Sequence, residues 1–350
     1  MLSAAPTGGR SRLLQQPALR VTAATVVLGG VAVWLGQALN LNNALTLEEA
    51  LGLAVFAVAT NLLLGTGGLV SFGQAAFYGC GAYLVALSWL HHWMSFWLAF
   101  FVSPLLGAVV ALLMGLIALR TRRLYFALLT LAFSELFYQL VNVRYDFTRG
   151  ATGIFSVSMI PPSLASPRTG YEFTVAVVAV SLLALWKVTN SPFGLALRAC
   201  RENRERAEAL GINVYRQQLL AFVISGAFCS LAGALFVVYG QSAYPDLLNW
   251  TESGQPLFMA VIGGMFSFLG PGVGAILYQF GYQYISQHTH DWELVLGAVL
   301  VITVLFRPEG LAGLVAPATW RRRWRARRRT PSSSDESAPA SDQVFQGLSR

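Results

Sequence analysis

The chain has 350 residues, of which 55% are hydrophobic and 11% charged, with a mean hydropathy of +0.56. A soluble domain carries about a quarter charged residues, so the composition argues against an ordinary soluble fold and for an all-α polytopic membrane protein. The net charge of +8 does not call for a nucleic-acid partner, because the basic residues sit in short loops and at the tail, where the positive-inside rule puts them.

In chain order, residues 1–20 form a basic N-terminal segment carrying Arg10, Arg12 and Arg20. The apolar run behind it looks like a signal peptide, but no clean small-x-small cleavage site follows, and it reads as an uncleaved first helix. Runs near twenty apolar residues then recur, long enough to cross a hydrocarbon core of about 30 Å. About ten transmembrane or re-entrant helices are expected, near 22–40, 49–65, 75–90, 96–119, 124–143, 172–188, 217–239, 256–266, 272–288 and 292–306. The two around Gly263 to Gly274 read as one broken helix or as a re-entrant pair. The 33 glycines suit close helix packing in lipid. Gly226, Ser230 and Ala234, at i, i+4 and i+8, read as such a packing face. The membrane domain is bounded at 21–317. Residues 318–350 pass from an arginine run, suited to anionic lipid headgroups, into the Ser-rich "TPSSSDESAPASDQ", which reads as a disordered cytoplasmic tail.

Loop charge sets the expected orientation. Arg10, Arg12 and Arg20, then Arg120, Arg122 and Arg123, then Lys187 to Arg216, then Arg321 to Arg329 all fall on one side under a ten-span count. Both termini are therefore expected in the cytoplasm. Glu48 and Glu49, Asp246 and Glu252, and Asp291 and Glu293 fall in the opposite loops; the mixed loop 144–171 is placed outside by count. Cys80, Cys200 and Cys229 have neither disulfide nor metal spacing and read as packing residues. His288 and His290 lack companion ligands, and no bound metal is expected.

Two stretches stand apart. "GGLVSF" at 67–72 returns as "GGMFSF" at 263–268, a faint internal repeat placed each time at a glycine-rich interruption of an apolar run. Transporters built from repeated halves carry broken helices of this kind near the substrate path. The other stretch is "SPFGLALRACRENRERAEALG" (191–211), a charged island between apolar runs. Ser191 can cap a helix, Pro192 suits the first helical position, and Gly211 suits a helix end. Leu195, Leu197, Ala199, Ala207 and Leu210 give the island an apolar side; Arg201, Glu202, Glu205 and Glu208 give it a wet one. A short helix pair at the cytoplasmic membrane face is expected over about 190–216. The positive-inside rule explains the arginines but asks for no glutamates. Mixed charge around small apolar residues suits a helix that docks in a protein groove, with a solvated loop as the alternative.

"Glu205-Arg206-Ala207-x-x-x-Gly211" resembles the E-A-A-x-x-x-G coupling loop of bacterial ABC importer permeases, with Arg206 in place of the second-position alanine. Longer stretches resemble one branch of them, the branched-chain amino-acid permeases of the LivM type: "NLLLGTGGLVSFGQAAFYGCGAY" (61–83), "RLYFALLTLAFSELF" (123–137), "SPFGLALRACRENRERAEALGINVYRQQLLAFVISGAFCSLAGALF" (191–236) and "LFRPEGLAGL" (305–314). The resemblance covers about residues 45–315. It implies a permease subunit in a bacterial inner membrane that imports branched-chain or related amino acids by alternating access, and is not itself an enzyme. Relatives that carry urea or short amides leave the substrate open. It also implies partners: a second permease, often a different paralogue, two ATPase subunits docked on the coupling loop, and a periplasmic binding protein. ATP and Mg would be bound by the ATPase subunits; this chain has no G-x-x-x-x-G-K-[ST] stretch to cradle phosphates. The competing class is a stand-alone ion-coupled carrier.

Glu135 lies twelve residues beyond Arg123, roughly 18 Å along a helix and so near the bilayer midplane. A carboxylate there is expensive and is expected to face the bundle interior or water. Tyr138, Gln139 and Asn142 extend it into a polar stripe. The stripe reads either as a lining of the substrate path that meets an ammonium group, or as a structural hydrogen bond to a neighbouring helix. The second candidate is Gly65 to Gln74. Gly65, Gly67 and Gly68 allow an unwound backbone, Ser71 and Gln74 add polar groups, and a half-helix start attracts carboxylates through free N–H groups. Tight packing by small residues is the alternative, and Gly263, Gly264, Ser267 and Gly270 carry the same two readings.

Overall fold

The computed structural model describes residues 41–121, 123–164 and 166–289, together with residues 294, 295, 297, 298, 301 and 305. The expected N-terminal segment, the first span (22–40), most of the tenth span (292–306), His290 and the tail (318–350) lie outside the described residues.

Helix α1 (Leu41–Asn61) leads directly into a π-helical turn, Leu62–Gly67. After an irregular stretch come α2 (Gln74–Leu90) and α3 (Phe96–Ala118), the latter capped by Ser95, whose hydroxyl accepts from Leu98 N. Helix α4 (Arg123–Val143) is followed by the short α5 (Tyr145–Thr148), the strand β1 (Ile154–Phe155) and α6 (Pro167–Asn190). The charged island forms α7 (Pro192–Glu202) and α8 (Arg204–Ala209). Helix α9 (Val214–Gly240), the strand β2 (Ser242–Ala243), α10 (Gly254–Gly263) and α11 (Gly270–His288) complete the described chain.

Every expected segment from 49 to 288 coincides with a helix. Among the described residues five are long and apolar enough to cross a membrane: Ala44–Gly67, Phe96–Ala118, Leu124–Val143, Pro167–Asn190 and Val214–Gly240. One expectation needs correction. Glu48 and Glu49, expected in a loop, lie within α1. Glu48 is buried, and its carboxylate accepts a 2.8 Å hydrogen bond from Thr174 Oγ1 of α6. A hydroxyl on a neighbouring helix can satisfy a buried carboxylate, and a hydropathy window sees only the charge. The helices account for the all-α class; beside them β1 and β2 form one small antiparallel ladder, Ile154 opposite Ala243 and Phe155 opposite Ser242. The ladder ties the segments following α4 and α9 together, at the ends of those helices far from α7 and α8.

The core is built around α9, which packs on α1, α2 and α3. Gly226, Ser230 and Ala234 are buried on it, as the packing-face reading expects, and Ser230 Oγ donates to the Ser103 carbonyl of α3 at 2.7 Å. Lipid offers no hydrophobic drive for this association, so it rests on van der Waals contact and hydrogen bonds that small residues permit. Larger side chains fill the remaining space. Phe222 meets Phe77 and Phe126 edge to face, with ring centroids 5.3 and 5.7 Å apart.

Candidate functional site

The site is assembled where helices stop. After the π-helical turn, Gly68 takes a left-handed conformation (φ 68°), which glycine adopts at no steric cost. Its N–H bonds Leu64 O at 3.2 Å, and Leu69 N bonds Leu63 O at 3.0 Å, closing the helix end. The chain then crosses to α2. The second interruption is also marked by a positive-φ glycine: α10 ends at Gly263, Gly264 has φ 108° with its N–H bonded to Ala260 O at 2.9 Å, and Ser267 Oγ accepts from Gly270 N at 2.9 Å where α11 begins. The two echoing hexapeptides thus occupy two junctions of the same kind. They also touch: a methyl group on Gly65 would overlap the Met265 carbonyl oxygen.

The first interruption holds four sequence-predicted residues. Gly67 is buried, Ser71 is 2% exposed and Gln74 is fully buried. Three backbone N–H groups around the start of α2 are engaged by hydroxyls. Phe72 N donates to Thr130 Oγ1 of α4 at 3.2 Å, Gly73 N to Ser71 Oγ at 3.2 Å, and Ala75 N to Ser253 Oγ at 2.9 Å. Hydroxyls from α4, from Ser71 and from the turn before α10 thus hold three of the backbone donors that flank the start of α2. Gln74 Oε1 lies 3.2 Å from both Ser225 Oγ and Cys229 Sγ of α9. The polar groups of this stretch fasten α2 to its neighbours.

The island divides into an inward and an outward face. Ser191 caps α7, Asn203 Oδ1 accepts from Arg206 N at 2.8 Å to cap α8, and Asn213 Oδ1 accepts from Arg216 N at 3.0 Å to cap α9. Gly211 has φ 82°, with Gly211 N bonded to Glu208 O at 2.9 Å and Ile212 N to Ala207 O at 3.1 Å. That is the paired bonding of a Schellman helix end. Ala207 is buried with Cys200 and Val214 in a small core, so it holds α8 to α7 and α9 instead of facing a partner. Arg201 also turns inward. Its Nη1 donates to the Gly65 carbonyl, and its guanidinium carbon stands 5.5 Å above the centre of the Phe266 ring. Burial lowers its pKa from the ordinary arginine value. Glu202, Glu205, Glu208 and Gly211 are exposed, and Arg204 pairs with Glu208 at 2.9 Å. The exposed Leu195 and Leu210 add apolar surface.

On α4, Gln139 Nε2 donates to Glu135 Oε1 at 2.8 Å. The stripe does not face the chain's own bundle. Phe133, Phe137, Tyr138 and Val141 pack toward the core, while Gln139, Leu136 and Leu140 are exposed and Glu135 and Asn142 are half-buried. Helical geometry divides the expected stripe: Tyr138 turns in, and Glu135 and Gln139 turn to the uncovered side.

A second polar feature lies at the far end of the bundle from the island. Glu49, Tyr78, Tyr244, Glu252 and Gln279 help to line a cavity of ≈ 200 Å³. Burial, and then the negative charge of Asp246, pushes the Glu252 carboxyl up to about 7. Among the described residues no group of three or more His, Cys, Asp or Glu is placed to hold a metal ion.

Residues 40–305 match the family model described as "Branched-chain amino acid transport system / permease component". The chain belongs to that family. The permease is 29% identical over 292 residues to the high-affinity branched-chain amino acid transport system permease protein LivM of Escherichia coli, covering 75% of this chain and 68% of the relative. It is 30% identical over 140 residues to LivH, a permease protein of the same kind of system in that organism, covering 38% of this chain and 45% of the relative. A guanosine ABC transporter permease protein, NupQ of Bacillus subtilis, is 32% identical over 114 residues, 32% of this chain and 34% of the relative. No solved structure matches the permease. With its long apolar helices, family membership makes the chain a multi-pass membrane protein.

Sequence reasoning missed three groups of residues in the permease. Glu252 lies in the turn before α10, as expected of a loop charge, whereas Glu49 lies in α1, and nothing local announces the cavity that both line. Thr130 and Ser253 are single hydroxyls whose partners lie 58 and 178 positions away. The inward turn of Arg201 was legible in part: the helical period puts it on the side of α7 that carries Gly194 and Leu197, both buried.

Proposed function

We propose that this permease is the membrane-spanning subunit of an ATP-driven importer for branched-chain or related small amino acids, working by alternating access. The observation that carries the reading is the island. α7 and α8 form a separately capped helix pair, exposed on one side with Glu202, Glu205 and Glu208, and fastened on the other to the two helix breaks. An exposed helix pair of mixed charge suits docking into a soluble ATPase subunit, which would bind ATP and Mg. A second permease, two ATPase subunits and a periplasmic binding protein complete the proposed assembly. Both termini would be cytoplasmic, with ten helices crossing or entering the bilayer in a bacterial inner membrane.

Glu135 and Gln139 fit the same proposal. A carboxylate near mid-membrane is costly against lipid, so the uncovered side of α4 would meet the second permease, with the substrate path between the two chains. Gly67, Gly68, Ser71 and Gln74 would support the path by holding α2.

The test is purification of the tagged chain in mild detergent from its native host, with mass spectrometry and uptake of radiolabelled leucine. Two ATPase chains and a second permease should accompany it. Glu205→Lys should lower ATPase recovery and uptake together by about tenfold, the scale of one charged contact at an interface. Gly211→Val, which forces a β-branched residue into a left-handed turn at a cost of about 1–2 kcal/mol, should do the same, while Gly211→Asn should be tolerated. A chain that purifies alone and moves solute in liposomes without ATP would overturn the proposal in favour of an ion-coupled carrier. Uptake of a nucleoside or an amide in place of leucine would keep the mechanism and replace the substrate.

A further inference from the structure

We infer that Arg201 is a positioning residue, the joint through which α7 is tied to both helix breaks at once. The inference rests on the coupling reading above for its purpose, but not for its geometry.

The physical need for a cation at this place follows from the helix ends. The α1 π-turn and α10 both terminate here, and each helix end presents unsatisfied carbonyl groups equivalent to roughly half a negative charge. The two ends are in contact, since Gly65 leaves no room for even a methyl group beside the Met265 carbonyl. Two like partial charges brought together repel unless something positive lies beside them. Arg201 fills that role from a third element. Its guanidinium donates to Gly65 O on the first break and stands over the Phe266 ring of the second, 5.5 Å from the ring centre. Arginine suits this double duty, because its planar, weakly hydrated group can donate from its edge while its face lies on a ring.

The fit is steric as well as electrostatic. A methyl group on Gly68 would overlap the aliphatic stem of Arg201, and Leu197, one turn earlier on α7, lies 3.5 Å from where a Cβ on Gly67 would stand. Leu197 is fully buried. One face of α7 therefore seats on the first break with a side chain reaching across to the second. Among the described residues Arg201 makes no salt bridge with a carboxylate; its charge is answered by a carbonyl and a ring. A push on the outer face of α7 and α8 would reach the first interruption through Leu197 and Arg201 and the second through Arg201. The glycines beneath it are where the backbone can change direction.

The test uses the full-length chain in lipid nanodiscs and follows amide hydrogen exchange by mass spectrometry. Arg201→Gln should raise exchange in 192–202 and in 62–68 together, by about tenfold or more, the scale of a lost charge-assisted hydrogen bond. Arg204→Gln, which removes an exposed pair, should change neither. Unchanged exchange in Arg201→Gln, or a rise confined to 192–202, would overturn the inference. Should Arg201→Gln fail to fold, Phe266→Leu removes only the ring; it should raise exchange in 192–202 and 264–269, and an unchanged profile would overturn the inference equally. This readout needs no partner, so it stands or falls apart from the importer reading. In the intact assembly, Arg201→Gln should lower leucine moved per ATP hydrolysed while ATPase subunits still co-purify. Loss of the ATPase subunits in that variant would mean that Arg201 serves docking and not the joint.

Discussion

α1 and α4 are both long apolar helices, yet 89% of the apolar window running from α1 into the π-turn is buried within the chain and only 17% of the window in α4. α1 is enclosed by α6, α9, α10 and α11, and even its Glu48 is hidden. α4 turns one side to the chain and leaves Leu128, Leu136, Leu140 and Val143 uncovered. Hydropathy measures the cost of leaving a helix in water, and lipid and protein interior relieve that cost alike. What distinguishes the two helices is small residues and matched hydroxyls on one, and a polar stripe without a covering neighbour on the other.

The largest contrast should come from truncating a side chain on each. Phe56 of α1 is 1% exposed and stands 4.6 Å from the Tyr78 ring, centre to centre. Phe56→Ala should lower the unfolding free energy in detergent by about 3–5 kcal/mol through lost contacts and a cavity. Leu136→Ala, at a residue 58% exposed, should change it by less than about 0.5 kcal/mol. Equal losses would erase the distinction between the helices.

The second test concerns what α4 awaits. Glu135→Leu should leave the isolated chain folded, as judged by circular dichroism and size-exclusion profile, since among the described residues the side chain bonds only to Gln139 on the same helix. Leucine uptake by the intact assembly should fall about tenfold, the scale of one charged contact at an interface, with Glu135→Gln intermediate. Full uptake in Glu135→Leu would leave the uncovered side of α4 to lipid.

The smallest expected effect belongs to the carboxylate beside α1. Glu252 shares a cavity with Glu49, and its pKa near 7 lies above the ordinary 4.5. The folded state holds that proton more tightly than the unfolded chain. The resulting stability is present in full below about pH 4.5 and is lost as pH rises through about 7. Glu252→Gln should flatten the fall in the thermal midpoint between about pH 5 and pH 8, with the variant more stable at the upper end. A pH dependence unchanged by the substitution would mean the carboxyl is charged throughout.

Much of the fold was legible because its signals are local. Ser191 with Pro192 and the glycine at 211 marked the ends of the island, and they cap and close it as those residue types do elsewhere. The hexapeptide echo pointed to two interruptions, and both are there. The candidate path was less legible. Nothing near Glu48 in the sequence names Thr174 as its partner, and nothing near Gln74 tells that Thr130 and Ser253 occupy the amides beside it.

By itself, then, the sequence determined that this chain lives in a bilayer as a set of helices, where two of them break, and that one charged stretch forms a short helix pair. Those properties depend on composition and on spacings of a few residues, which backbone geometry and solvation read directly. Only the tertiary structure decided which way each polar group turns: that the breaks meet, that Arg201 faces them while Glu205 faces outward, that Glu48 is enclosed and Glu135 is not. Such choices depend on contacts between residues tens to hundreds of positions apart. In a medium where every apolar surface is equally well solvated, only shape and hydrogen-bond partners can make them.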